Sequence, residues 1–362
     1  MLIVTAISVL TLILTYLESR RYLKDGMKLG FILISILGII HYDYGNDYMS
    51  YYDIYNSIVH TPFNWTNILN GSIYKEPGWV LINYFFEPLG GFFMMVAVLN
   101  VIQNVIYYKF IKANVERTWR PIAVFIYLFS TSFYLLNFSM MRQGLVIAIF
   151  LWMWKYIKNR KWFIALLGLI AGSFIHTSAI ILIPFAFWGF IPMKNGRFLA
   201  ILYVSLFIAL WIGESFLNNI FETLLIFEDF EDYTDIYNKD SESVHFGVGF
   251  IINMIPFVVS IYYLLKDKTQ TEDKHQLVAL AAVGFMILPF GKIIPLVARV
   301  GMYFSALSIG AFTSTYSVIN NRMFRYSLIG IYILITLYDY WNFFHNSIYA
   351  ASYQNFKTIF TV

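Results

Sequence analysis

Long apolar runs separated by short polar breaks dominate the pattern of this chain. Inside a bilayer each segment must satisfy its own backbone polar groups, so an apolar run of about 15–25 residues reads as a membrane-crossing helix. Twelve such runs stand out, at 2–17, 27–41, 90–111, 121–136, 140–157, 162–174, 178–191, 198–213, 246–265, 276–290, 295–319 and 327–341. The runs are unbroken rather than alternating, which argues against an outer-membrane barrel. Several fall short of the roughly 20 residues of a full crossing and read as short or re-entrant pieces. The predicted fold class is an all-α polytopic membrane protein with about twelve transmembrane segments, forming a single integral membrane domain over 1–362. Polar stretches at about 42–89 and 214–245 read as its two large outer loops. The first run lacks a basic leader and a small-residue cleavage pattern before Glu18, so it reads as a helix of the protein and not as a signal peptide.

Composition agrees with this reading. Apolar residues make up 59% of the chain and charged residues 13%, against about 25% charged in a typical soluble domain. Such a chain cannot cover a soluble surface, which excludes a soluble enzyme, a disordered chain and a nucleic-acid-binding domain. The absence of cysteine excludes disulfides, thiolate nucleophiles and Cys-ligated metals.

The distribution of charge adds an orientation. Nineteen of the 25 Lys and Arg residues fall in alternate loops, after the first, third, fifth, seventh, ninth and eleventh runs. Fifteen of the 21 acidic residues fall on the other side. The positive-inside rule makes the basic side cytoplasmic and places both termini outside. It also divides 162–191 into two crossings, because Lys161 and Lys194 both sit in basic clusters. The chain must therefore turn back near residues 175–177, which brings His176 to the outer surface.

Six basic residues escape the bias: Lys75, Arg142, Lys239, Lys292, Arg299 and Lys357. Arg142 opens the fifth run, and Arg299 lies inside the eleventh, four residues before Tyr303 and so on its helix face. The guanidinium fork suits phosphate oxygens, so Arg142 and Arg299, with Lys292, are candidates to hold a pyrophosphate. The alternative is that each pairs with an outer carboxylate or snorkels to the interface. Residues 41–55 combine carboxylates, Gly45 and six Tyr, a chemistry suited to carbohydrate. The Tyr residues also fit an interfacial aromatic belt, whereas Asp47, beside a tight turn at Gly45, is a candidate functional acid. Glu76 precedes Pro77, a favoured first helical residue, and is either a helix cap or a base near the membrane surface. His176 suits general-base work; a lone His in apolar surroundings also serves as a hydrogen-bonded structural residue. The acidic stretch 227–235 resembles a metal site only superficially, since it has no fixed ligand spacing, and no metal is expected.

Taken in order, the motifs point to a family. Met141-Arg142-Gln143-Gly144-Leu145 opens a helix, and Phe174-Ile175-His176-Thr177-Ser178-Ala179 follows about thirty residues later. With Gly45-Asn46-Asp47-Tyr48, Tyr51, Glu76-Pro77-Gly78, Arg299 and Tyr303, the chain resembles the EpsG family of Wzy-type polysaccharide polymerases. Asn46 departs from the small residue or Thr expected there. The resemblance implies a membrane glycosyltransferase of the GT-C type that uses no cofactor and no metal and inverts the anomeric centre. It would polymerise oligosaccharide repeat units carried on undecaprenyl pyrophosphate at the outer face of a bacterial plasma membrane, in O-antigen, capsule or exopolysaccharide synthesis. It implies a chain-length regulator and a flippase as partners, besides membrane lipids, and no nucleic acid. In this reading Arg142 and Arg299 bind the donor pyrophosphate with Gln143 and Lys292 in support. His176, Glu76 or Asp47 is the base, and Tyr48, Tyr51 and Tyr303 hold sugar. The other classes are a lipid-linked oligosaccharide flippase or transporter, and a glycan ligase or acyltransferase. A transporter should carry polar residues through both leaflets, whereas the unusual ionisable groups here favour one side.

Overall fold

The computed structural model describes residues 1–193, 196–212, 250, 253–266, 271–288, 290 and 295–360. They are almost all helical and fall into two compact units, Met1–Trp188 with Asn321–Val362, and Gly189–Asn320. The first unit is discontinuous in sequence because the chain returns: its last helices pack back on its first ones.

The first unit begins with α1 (Leu2–Ser19) and α2 (Gly26–Ile40), an antiparallel hairpin. Thr11 Oγ1 donates to the Gly30 carbonyl at 3.1 Å across it. A polar stretch follows, folded into α3 (Tyr48–Val59), α4 (Trp65–Leu69) and α5 (Pro77–Phe86). Then come α6 (Gly91–Asn114), α7 (Arg120–Phe129), α8 (Leu136–Ser139), α9 (Met141–Ile157) and α10 (Trp162–Ile175). A 3₁₀ helix, Thr177–Phe190, runs back along α10, with the Phe187 ring stacked on Trp162 at 5.4 Å. The reversal expected near residues 175–177 is therefore present.

The second unit holds α11 (Gly196–Ile212), α12 (Ile255–Lys266), α13 (Glu272–Ile287), α14 (Pro295–Ser305) and α15 (Ser308–Ser317). The run expected over 295–319 is broken between α14 and α15. There Gly284 on α13 lies against the backbone of Phe304 and Ser305, a packing that leaves no room for a side chain. The expected loop at 214–245 lies outside the described residues. The chain then re-enters the first unit through α16 (Arg322–His345) and α17 (Ser347–Tyr353). Tyr340 on α16 packs its ring on Phe129 at 5.0 Å and sets its hydroxyl 3.0 Å from that of Thr5. The strand β2 (Lys357–Thr358) pairs antiparallel with β1 (His41–Tyr42), His41 opposite Thr358.

On α1 and α10 the burial pattern is the reverse of that of a helix in water. α1 buries Ser8, Thr11 and Thr15 and turns Leu2, Ile3, Leu10 and Ile13 outward. α10 buries Ala165, Leu169 and Gly172 while Phe163, Ile164, Leu167 and Phe174 are exposed. A helix in water does the reverse; small or polar residues inside and large apolar ones outside are the pattern of helices solvated by lipid. α1 and α6 are long and apolar enough to cross a membrane, and the protein is a membrane protein. α7 is not: the run expected over 121–136 stops at Phe129, about 15 Å along, and turns, with the Tyr134 N–H donating to the Tyr127 carbonyl at 3.2 Å.

The two ends of the first unit differ in chemistry. At one end Glu18 accepts from Arg120 Nη1 at 2.9 Å and from the Met27 N–H at 2.8 Å, and its carbonyl accepts from Arg117 Nε at 2.7 Å. At the opposite end lie the turn after β1, the start of α5 and the junction after α10. α9 joins the two ends, with Arg142 in its first turn and Lys155 in its last, over about 25 Å.

Candidate active site

Three stretches far apart in sequence meet at the end of the first unit away from Glu18. Pro77 opens α5, where its missing N–H is no loss. Glu76 just before it is extended (φ −108°, ψ 95°) and makes no side-chain bond to its own helix. It is therefore not the cap that the sequence allowed. Gly78 brings α5 against the end of α10: a Cβ there would stand 2.8 Å from the carbonyl carbon of Phe174. This close approach carries the Glu76 side chain to the residue that ends α10, His176, itself extended (φ −149°, ψ 116°).

The Glu76 carboxylate gathers the site. Its Oε1 accepts from His176 Nδ1 at 2.8 Å and from the Thr177 N–H at 3.0 Å, while Oε2 accepts from Arg142 Nη1 in an ion pair. The three side chains are mostly buried, Glu76 at 5% exposure, His176 at 13% and Arg142 at 16%. Arg142 Nε donates to the Tyr51 hydroxyl at 3.2 Å. The guanidinium also lies over the rings of Tyr51 and Tyr74, at 5.4 and 5.2 Å, which favours its charge. Burial, the strongest single influence, pushes the Glu76 carboxyl up; the His176 hydrogen bond, the Arg142 and His176 charges and the Thr177 N–H together outweigh it. The carboxyl is therefore held below its ordinary range. An ionised carboxylate only accepts, so the imidazole proton sits on Nδ1. His176 Nε2 is buried and has no hydrogen-bond partner among the described residues.

Asp47 forms a neighbouring pair. Gly45 has φ +123° and passes under the Phe138 carbonyl, a backbone shape and a space that only glycine accepts. Asp47 Oδ2 accepts from Ser139 Oγ at 3.0 Å, and the Asp47 N–H donates back to the same oxygen at 3.3 Å. Ser139 ends α8, three residues before Arg142. The C-terminal segment braces this turn: Asn46 Nδ2 donates to the Ile348 carbonyl at 3.2 Å, and Lys357 Nζ to Asp43 at 2.6 Å.

The structure thus joins Glu76, His176 and Arg142 directly, with Tyr51 against the arginine and Asp47 tied to the turn leading into α9. The other expected residues are placed differently. Tyr48 is fully buried, its ring edge-on to those of His41, Tyr42 and Phe92. Tyr51 is also largely buried, its ring edge-on to Trp79, and its hydroxyl orients Arg142. Gln143 is buried in α9. Arg299, half-buried, and Tyr303, fully buried, stand one turn apart on α14 of the second unit. Lys292 and the acidic stretch 227–235 lie outside the described residues. Among the described residues no group of three or more His, Asp or Glu side chains is arranged to hold a metal.

Thr177, Tyr74 and Ser139 had no role in the sequence reading. Their adjacency to His176, Glu76 and Arg142 was the available signal, but chain neighbours share a site only when the backbone turns them to the same side.

No curated protein and no solved structure matches this chain. The EpsG family model matches residues 2–358, nearly the whole length. That coverage takes in Asp47, Glu76, Arg142 and His176, and the chain is a member of the EpsG family, whose general role lies in polysaccharide polymerisation.

Proposed function

We propose that the protein is a membrane glycosyltransferase that polymerises undecaprenyl-pyrophosphate-linked oligosaccharide repeat units at the outer face of a bacterial plasma membrane. The observation that carries this reading is the contact of an arginine, a carboxylate and an imidazole at one end of the first unit, the end away from the basic loops. Family membership gives the reaction class in general form. A lipid pyrophosphate is an activated leaving group, so the site has two tasks: to neutralise the charge that develops on it, and to take a proton from the acceptor hydroxyl.

In the step proposed, the acceptor hydroxyl oxygen attacks the anomeric carbon of the growing chain. The bond from that carbon to the pyrophosphate oxygen breaks, and its electron pair leaves with the lipid pyrophosphate. The hydroxyl proton passes to one of His176, Glu76 or Asp47. Direct attack inverts the anomeric centre. Arg142 supplies positive charge to the departing pyrophosphate, so the step requires no metal. Arg299 is likewise a proposed pyrophosphate ligand and is tested by its own substitution.

Purified protein given a single lipid-linked repeat unit should produce a ladder of products, undiminished by EDTA. A single transfer to a different acceptor would make it a ligase. Translocation across vesicles without any reaction would make it a flippase.

A further inference from the structure

We infer that His176 Nε2 is the atom that takes the acceptor proton, and that Glu76 is the positioning residue that fixes both His176 and Arg142. This rests on the glycosyltransferase reading above and selects among its three candidate bases. Glu76 is the poorest base of the three by construction. Its Oε1 already accepts from His176 Nδ1 and the Thr177 N–H, and its Oε2 from Arg142. A buried carboxylate so engaged gains little from a further proton. Asp47 spends its contacts on Ser139, which fastens the turn entering α9.

His176 differs from both. One ring nitrogen is committed and the other is not. Nδ1 must carry the proton because it faces a carboxylate, so in the neutral imidazole the lone pair is on Nε2. Nε2 is buried and, among the described residues, unpartnered, and such a nitrogen is satisfied when it accepts a hydrogen bond. An acceptor sugar hydroxyl supplies that bond and then its proton. The imidazolium formed keeps its Nδ1–H on Glu76, whose charge stabilises it. The same carboxylate holds Arg142 on its other oxygen. Glu76 therefore sets the spacing between the cation offered to the donor and the base offered to the acceptor.

The substitution Glu76→Gln preserves shape and tests this directly. With the amide oxygen toward Arg142, the amide N–H groups face His176 Nδ1, which must then accept, and the imidazole proton moves to Nε2. We expect kcat to fall about 10²–10⁴-fold, the range of a general base, with little change in KM for the lipid-linked unit. Glu76→Asp should recover part of the loss. Imidazole ¹⁵N NMR, with the His176 signals identified by their loss in His176→Gln, should show the proton on Nδ1 in the wild type and on Nε2 in Glu76→Gln. Wild-type kcat in Glu76→Gln, or a wild-type His176 that carries its proton on Nε2, would overturn the inference. The NMR measurement on wild-type protein needs neither turnover nor a stable variant. Should the wild type make no ladder, the polymerase reading fails, while the tautomer still decides the Glu76–His176 coupling.

Discussion

Arg142 shows how much a single side chain is asked to do. Its guanidinium neutralises a carboxylate that is 5% exposed, donates to Tyr51 and stacks on two rings. Arg142→Ala therefore strands a buried negative charge, a loss of about 3–5 kcal/mol when a buried pair is broken, and nearer the lower figure here because Arg142 is 16% exposed. Arg142→Lys keeps the charge but not the planar fork, so it should unfold at a temperature between wild type and Arg142→Ala. Both should fail to form polymer. Thermal unfolding in detergent, run beside the product ladder, separates the structural loss from the chemical one. Glu76 adds a dependence on pH. Its folded value lies below the ordinary 4.5, so its contribution to stability is complete above that value and is lost as pH falls through the lowered one. The wild-type unfolding temperature should fall more steeply than that of Glu76→Gln across this acid range.

Elements place these residues by close approach. α5 reaches α10 only because residue 78 has no side chain; the nearest atoms to a Cβ there are backbone, which cannot swing aside. Gly78→Ala should push the start of α5 away from His176 and lengthen the 2.8 Å bond between Glu76 and the imidazole. A destabilisation of about 1–3 kcal/mol is the usual range for overpacking. Activity should fall well beyond what that figure explains, as seen by comparing product yield with the folded fraction. The motif Glu76-Pro77-Gly78 is thereby accounted for residue by residue: a carboxylate released from capping, a helix start and a contact with another helix.

At the scale of the whole chain, the alternation of charged loops predicts a sidedness. The first unit has Glu18, Arg117 and Arg120 at one end and Glu76, Arg142 and His176 at the other. The absence of cysteine makes this directly measurable, since a single introduced thiol has no competitor. In intact cells an impermeant maleimide should label Ser72→Cys and leave Lys24→Cys unlabelled until the membrane is opened. Both residues are exposed and lie toward opposite ends of the first unit. Labelling of Lys24→Cys alone in intact cells would reverse the orientation.

Most of the fold was legible in one dimension. Apolar run length marks the helices, and α1, α2, α6, α9 and α10 begin and end within a few residues of the runs at 2–17, 27–41, 90–111, 140–157 and 162–174. Charge alternation, which depends only on the order of loops, required the reversal at His176. Hydropathy did not reveal the early stop of α7 at Phe129, the 3₁₀ form of Thr177–Phe190 or the break between α14 and α15. A buried apolar turn has the same composition as the helix it interrupts. The sequence also supplied Asp47, Glu76, Arg142 and His176 as chemically unusual residues, but each stood alone. Only the tertiary structure decided that Arg142 and His176 share the Glu76 carboxylate, that Tyr48 is enclosed by other rings, and that the end of the chain returns to brace the turn at Gly45. The reason is physical: which groups are unusual depends on residue type and solvent, whereas which groups touch depends on a few glycines and turns that set helix against helix to within an ångström.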